Sequence, residues 1–171
     1  MKMSADPRVL AVMASMAAVV TACAVDNPVE PLPEPSFEYF ACAVQPVLDQ
    51  GCSFPACHGD VNRGLQVLSP SRMRIASEYA LARMGISDEQ VEEGVHPPLT
   101  GVELSFNYEQ CRGWAKATST GRPPALLDKP LAVRAGGIYH TAAGDVFASE
   151  DDPGYRAIEA WLRGAGPEAC P

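Results

Sequence analysis

Apolar residues recur every three or four positions in four stretches of the chain, which is the spacing of a helix with one buried face. No stretch alternates apolar and polar residues as a half-buried strand would. The pattern therefore predicts a small, mostly α-helical domain with long loops. The four stripes consist of Phe37, Phe40, Ala41, Val44, Val47 and Leu48; Met73, Ala76, Ala80, Leu81 and Met84; Leu104, Tyr108, Cys111 and Ala115; and Tyr155, Ile158, Trp161 and Leu162.

Residues typical of helix ends bound these stripes. Pro46 interrupts the first stripe and predicts a kink or a late helix start, because proline has no N–H group and clashes with the preceding turn. Gly51 is the predicted end of that helix. Ser69 and Pro70 predict the start of the second helix and Gly85 its end, and a Ser87/Gln90 capping box predicts a short helix after it. The third helix is predicted from Glu103 to about Thr118. The last is predicted to begin at Asp152 and Pro153 and to end at Gly164.

Residues 1–22 have the order of parts found in a lipoprotein signal peptide. Lys2 and Arg8 are basic, and residues 9–20 form an apolar segment too short to cross a bilayer as a helix. The sequence Val-Thr-Ala-Cys that ends at Cys23 resembles a bacterial lipobox. Cys23 is therefore predicted to become the lipidated first residue of the mature chain. An ordinary signal peptide cut nearby, or an uncleaved anchor, is the alternative.

The mature chain divides into a tether and one domain. Residues 23–36 are rich in proline and predict an extended tether, and residues 37–171 are predicted to fold. A lipid on Cys23 would hold the protein on a membrane without spanning it. No aspartate follows Cys23, which by resemblance to sorted lipoproteins points to the outer membrane. The expected location is the bacterial cell envelope, as an outer-membrane lipoprotein or at the periplasmic face.

The charge of the chain narrows the classes of partner. The formal net charge is −8, and removal of Lys2, Arg8 and Asp6 with the signal peptide leaves −9. Nucleic acid is disfavoured as a partner, because phosphate binding requires basic patches. The charge also allows electrostatic docking with a basic partner, but solubility alone is the preferred explanation of it, and the sequence does not identify a redox partner. No Ser-His-Asp pattern or nucleotide-binding signature indicates an enzyme.

Cys52, Cys57 and His58 form the most informative motif in the chain. Two thiols followed directly by a histidine are typical of covalent haem attachment. A Cys52–Cys57 disulfide is the second interpretation, because thiols outside the cytoplasm are commonly oxidised. A structural zinc site is the weakest interpretation, because it needs four ligands and would have to recruit His96 and Cys111.

The residues around this motif resemble the start of c-type cytochrome domains. Residues 45–48 (Gln-Pro-Val-Leu) precede Cys52, and Gly59 follows His58, as in "Pro-Ile-Leu…Cys-x-x-Cys-His-Gly", although four residues separate the thiols here. The resemblance implies a cytochrome c-like helical fold. It also implies one covalent haem c on Cys52 and Cys57, with His58 as the proximal iron ligand.

A second run, towards the end of the chain, resembles a family of haem-binding domains in large bacterial surface and periplasmic proteins. It comprises Leu127, Lys129-Pro-Leu, Gly136-Gly, His140, Phe147, Asp152, Tyr155, Trp161-Leu and Gly164. The resemblance implies that His140 is the distal ligand, although Thr-Ala-Ala-Gly follows it where the family tends to have glycines. Met73 and Met84 are the alternative ligands.

The remaining cysteines are Cys42, Cys111 and Cys170. If the motif holds haem, Cys42–Cys111 is the predicted disulfide, and Cys170 could instead pair with either. The expected function is a membrane-anchored monohaem c-type cytochrome-like electron carrier. The alternatives are a non-haem binding or structural lipoprotein with a Cys52–Cys57 disulfide, and a haem peroxidase.

Overall fold

The computed structural model of the 171-residue chain describes residues 34–75, 85, 87, 89–90, 96–116, 121–140 and 144–171. These residues belong to a compact unit that spans Pro33–Pro171. The predicted signal peptide, Cys23 and most of the tether lie outside the described residues, and so do residues 76–84 of the second predicted helix. Within the described ranges, no helix has the length and apolar character needed to cross a membrane.

The described chain is mostly helical, which confirms the predicted class. No named strand occurs among the described residues, and a single isolated bridge joins Leu131 and Phe147. The α-helices are α1 (Phe37–Tyr39), α2 (Gln45–Gly51), α3 (Gly101–Trp114), α4 (Ala125–Asp128) and α5 (Pro153–Leu162), with a π-helical turn at Phe40–Val44 and 3₁₀ turns at Val133–Ala135 and Pro167–Ala169.

A π-helical turn carries the chain past Pro46. The Gln45 N–H donates to the Phe40 carbonyl, five residues back, instead of to the usual i−4 partner. Pro46 then occupies the first turn of α2, where its missing N–H costs no helical hydrogen bond. The predicted interruption is therefore present as a widened turn, and α1, the π-helical turn and α2 follow one another without a loop.

Side-chain caps occur at two of the helix starts that the sequence predicts. The Asp152 side chain accepts from the Gly154 N–H at the start of α5, as predicted. The predicted Ser87/Gln90 capping box is also present, with bonds of 3.0 and 3.3 Å. The third helix, α3, begins at a Thr100/Glu103 capping box and ends at Trp114, before the predicted end near Thr118. Residues 73–75, where the second stripe begins, are not helical.

An aromatic cluster joins the first, third and last helical segments. The ring of Phe40 lies 5.6 Å from that of Tyr108 and 5.3 Å from that of Trp161, and all three side chains are buried. The Trp161 indole N–H donates to the Ser36 carbonyl at 2.9 Å. This packing fixes α5 against the helix that leads into the Cys52–Gly59 loop.

The predicted Cys42–Cys111 disulfide is wrong. Cys42 is bonded to Cys170, with the two Cα atoms 5.8 Å apart, and Cys111 is a free thiol. Cys111 is fully buried on the apolar face of α3, where it packs as a small hydrophobic residue. Cys42 is only partly buried, and the segment before it contacts the C-terminal 3₁₀ turn, which brings Cys170 within reach.

Replacing Cys170 with serine is expected to lower the free energy of unfolding by about 2–4 kcal/mol. The disulfide closes a loop of 128 residues, so its loss releases a long segment of the unfolded chain. Urea unfolding under non-reducing conditions measures the change. Cys42→Ser should give the same loss, and the double variant no further loss. Peptide mapping that linked Cys42 to Cys111 would contradict the assignment.

Candidate functional site

The Cys52–Gly59 loop leaves the end of α2 and folds into a compact turn. The His58 N–H donates to the Cys52 carbonyl at 3.0 Å, and the Cys57 and Gly59 N–H groups donate to the Phe54 carbonyl at 2.8 and 2.9 Å. A Cβ at Gly59 would lie 2.1 Å from the Ser53 carbonyl oxygen, so the turn excludes any larger residue there. The four-residue spacing between the thiols is therefore accommodated by a turn that returns His58 to the backbone of Cys52.

Arg72 holds this turn against α2. Its guanidinium donates to the Asp49 carbonyl and to Ser53 Oγ, and it lies 4.0 Å from the centroid of the Phe54 ring. Ser53 is fully buried, and its hydroxyl donates to the Asp49 carbonyl at 2.9 Å. The contacts of Arg72 with this turn could not be predicted from the sequence, because nothing in the spacing of Arg72 relates it to the loop.

The structure brings His58 and His140 together. Their ring centroids are 5.8 Å apart, and the two planes differ by 22°. The His58 Nδ1 lies 3.0 Å from the Leu65 carbonyl oxygen, so this nitrogen carries the proton and Nε2 keeps its lone pair. Histidines that bind metals are commonly oriented by such a bond from the other ring nitrogen.

His140 has an unsatisfied buried nitrogen. Its Nδ1 is buried and has no hydrogen-bond partner, whereas most buried polar atoms in proteins have one. Two glycines shape the segment before it: Gly136 has φ of 101°, and a Cβ at Gly137 would lie 2.0 Å from the Leu131 carbonyl oxygen. Glycine at these two positions thus lets the backbone before His140 turn and pass close to Leu131.

Both imidazoles are biased towards the neutral form. Burial lowers the pKa of His58, the hydrogen bond to the Leu65 carbonyl acts in the opposite direction, and the charges of Arg63 and Lys129 lower the pKa further. Burial also lowers the pKa of His140, with additional contributions from His58 and Lys129, while Asp145 acts in the opposite direction. A neutral imidazole is the form that binds metals, so the pair can act as ligands at neutral pH.

A cavity of about 180 Å³ lies beside the histidine pair. Cys52, His58 and His140 form part of its wall, and burial raises the pKa of the Cys52 thiol to about 12, so the thiol is protonated. Cys57 is a partly buried free thiol on the same loop and does not line the cavity. Apolar side chains form most of the remaining wall: Leu48, Leu65, Trp114, Leu126, Phe147 and Ile158.

The other described residues that the sequence suggests as ligands do not line this cavity. Met73 is partly buried and His96 is exposed, and neither lines the cavity, while Met84 lies outside the described residues. No group of three or more His, Cys, Asp or Glu side chains suited to a metal is found in the described part of the chain. The four-ligand zinc site considered from the sequence therefore has no counterpart among those residues.

The motif thiols and the comparisons complete the description of the site. Cys52 and Cys57 are both free, so the disulfide of the alternative interpretation is not formed in this structure. No family model, curated protein or solved structure matches the chain. The interpretation of the site therefore depends on its own geometry and on the motifs described above.

The free energy of unfolding of the metal-free chain is expected to fall as the pH decreases. Because the folded-state pKa of His58 and of His140 is lowered, the unfolded chain binds more protons below its own histidine pKa of about 6.5. The stability that the two neutral histidines contribute is fully present above that pH, and it is lost as the pH falls through their folded-state pKa. His140→Gln should make the dependence shallower in urea unfolding at several pH values, whereas His96→Gln, at an exposed position, should not. An unchanged slope in His140→Gln would contradict the expectation.

Proposed function

We propose that this protein is a monohaem c-type cytochrome-like electron carrier, held at the bacterial outer membrane or its periplasmic face by a lipid on Cys23. Cys52 and Cys57 would hold the haem covalently, and His58 and His140 would be the ligands of its iron. The observation that carries the proposal is the pair of facing imidazoles beside an apolar cavity with Cys52 in its wall. The haem would supply a one-electron iron couple, and the chain would bind and orient it.

The two rings lie near enough to share a metal atom if their nitrogens turn towards it. Imidazole nitrogens bind metals at about 2 Å, along lone pairs that lie in the ring planes, so the stacked rings, with centroids 5.8 Å apart, would have to rotate to bind one atom. The bond from His58 Nδ1 to Leu65 leaves its Nε2 free to serve as a ligand. His58 follows Cys57 directly in the sequence, so one loop supplies both attachment and a ligand, and a distant segment supplies His140.

The donor set also favours electron transfer over catalysis. Haem iron needs only two protein ligands, because the macrocycle occupies its other positions. Two histidines leave no position open for peroxide, which argues against a peroxidase. Without a methionine ligand, the reduction potential is expected to be lower than in a His/Met site. The net negative charge of the chain would favour a basic redox partner.

The size of the cavity sets a condition on the proposal. The cavity of about 180 Å³ is smaller than the roughly 300–1,000 Å³ of typical small-molecule sites. Haem binding must therefore move the walls apart or leave part of the ring outside. Residues 59–66 and 129–140 contribute to the wall and contain no α-helix, but Leu131 belongs to the buried core, so movement of the second segment would have to preserve that packing.

The full chain, expressed with the haem attachment machinery, tests the proposal. The expected product carries one haem that survives denaturation, has a low-spin reduced-minus-oxidised spectrum, and fractionates with the outer membrane. A colourless protein, with an intact mass two hydrogens short at Cys52 and Cys57, would overturn it in favour of the non-haem alternative. A high-spin spectrum that changes on addition of peroxide would favour the peroxidase.

A further inference from the structure

We propose that Lys129, with Arg63 as a second contact, binds carboxylate groups of the ligand that occupies the cavity beside His58 and His140. The inference rests on the proposed function, in which these groups are the two propionates of haem. It adds an anion-binding role for the two basic residues that line the cavity. The rest of the cavity wall consists mainly of apolar side chains and the two imidazoles.

The charges around the cavity are of one sign. Arg63 and Lys129 line it, whereas no carboxylate side chain among the described residues does. This is unusual for a chain with a formal charge of −8, in which acidic side chains outnumber basic ones. Asp145 acts electrostatically on His140, but it is exposed and lies outside the lining. A ligand that brings its own negative charge would complement this edge.

Lys129 is held at the cavity without an ion-pair partner among the described residues. Its ammonium nitrogen lies 5.2 Å from the centroid of the Trp114 ring, and Trp114 also lines the cavity. The neighbouring carboxylate of Asp128 is occupied by Arg122, at 2.7 Å. Lys129 is partly buried, and an anionic ligand in the cavity could accept a charge-assisted hydrogen bond from its ammonium group.

Arg63 is the weaker of the two contacts. It is exposed, and one of its terminal nitrogens already donates to the Ala56 carbonyl at 2.9 Å. It also lies near Asp60, whose pKa it helps to lower. Its remaining N–H groups can still reach a carboxylate at the mouth of the cavity. Lys129 is therefore expected to provide most of the selectivity for an anionic ligand.

Lys129 could also serve only to pack against Trp114, and binding measurements separate the two roles. The full chain is prepared without the attachment machinery and titrated with ferric haem and with ferric haem dimethyl ester, which lacks the propionate charges. We expect the wild type to bind ferric haem about tenfold more tightly than the ester, the effect of one charge-assisted contact. Lys129→Gln should abolish most of this preference. Adding Arg63→Gln to that variant should reduce the preference further.

Three variants sharpen the comparison. Lys129→Arg should retain the preference, because it keeps the charge. Lys116→Gln and Arg134→Gln, which remove exposed cations outside the cavity, should also retain it. Equal binding of the two ligands by the wild type, or an unchanged preference in Lys129→Gln, would overturn this inference and leave the haem proposal standing. Binding of neither ligand would overturn this inference, whereas the haem proposal is decided by expression with the attachment machinery.

Discussion

Replacing His58 with alanine is expected to reduce the yield of haem-bearing protein at least roughly tenfold, since even indirect support of a metal ligand is worth that much. His58 lies in the loop proposed to attach haem, and its backbone N–H donates to the Cys52 carbonyl, a bond that alanine keeps. Loss of the side chain would remove both the proposed proximal ligand and its bond to Leu65. Haem content per polypeptide, measured from the spectrum of the denatured protein, gives the yield.

His140→Ala should have a different effect, because His140 lies outside the attachment loop. We expect haem to stay attached through Cys52 and Cys57, while the spectrum changes from low-spin to high-spin and the iron gains affinity for added imidazole. Recovery of the low-spin spectrum on adding imidazole would show that the vacated position is the one His140 fills.

His96→Ala is the matched control for both variants, because His96 is exposed and lies outside the cavity. It should leave haem content and spin state unchanged. A low-spin spectrum in His140→Ala would show that another residue is the sixth ligand. The proposal for His140 would then be wrong, and Met73→Ala and Met84→Ala would identify the replacement.

The helical core could be predicted because its signals are local. The stripe of Tyr155, Ile158 and Trp161 defines the buried face of α5, and Asp152 caps the helix that these residues form. The end of α3 was placed too late, because a helix end also depends on tertiary contacts that spacing does not reveal. The disulfide could not be assigned from the sequence, since pairing Cys42 with either Cys111 or Cys170 leaves one disulfide and one free thiol.

The site could be predicted only where a sequence motif contains its residues. His58 could be identified from its neighbours, and His140 from the resemblance of the run that contains it. The contacts of Arg72 with the Cys52–Gly59 loop and the position of Lys129 beside Trp114 depend on how irregular loops fold back. The spacing of apolar residues does not predict such loop conformations. Side chains on irregular loops are therefore the part of the site that required coordinates.

Replacing Arg74 with methionine is expected to lower the free energy of unfolding by about 3 kcal/mol, because it leaves the charge of Glu103 buried without its cation. Glu103 is fully buried, and the Arg74 side chain is only 10% exposed. The guanidinium forms two parallel bonds to the carboxylate, at 3.1 and 2.7 Å, and a remaining N–H donates to the Pro97 carbonyl at 2.7 Å. Arg74 therefore joins the segments before residue 76 and after residue 95 to the start of α3.

Arg163→Met is the matched control, because Arg163 forms an exposed ion pair with Glu159 at 2.7 Å. Such pairs contribute at most about 0.5 kcal/mol, so this variant should unfold close to the wild type in urea. Arg74→Lys should recover only part of the stability, since a single ammonium cannot form both parallel bonds. If Arg74→Met unfolded at the same urea concentration as Arg163→Met, the bonds from Thr100 and Ile75 would suffice to hold the Glu103 carboxylate. The buried pair would then contribute little to the free energy of unfolding.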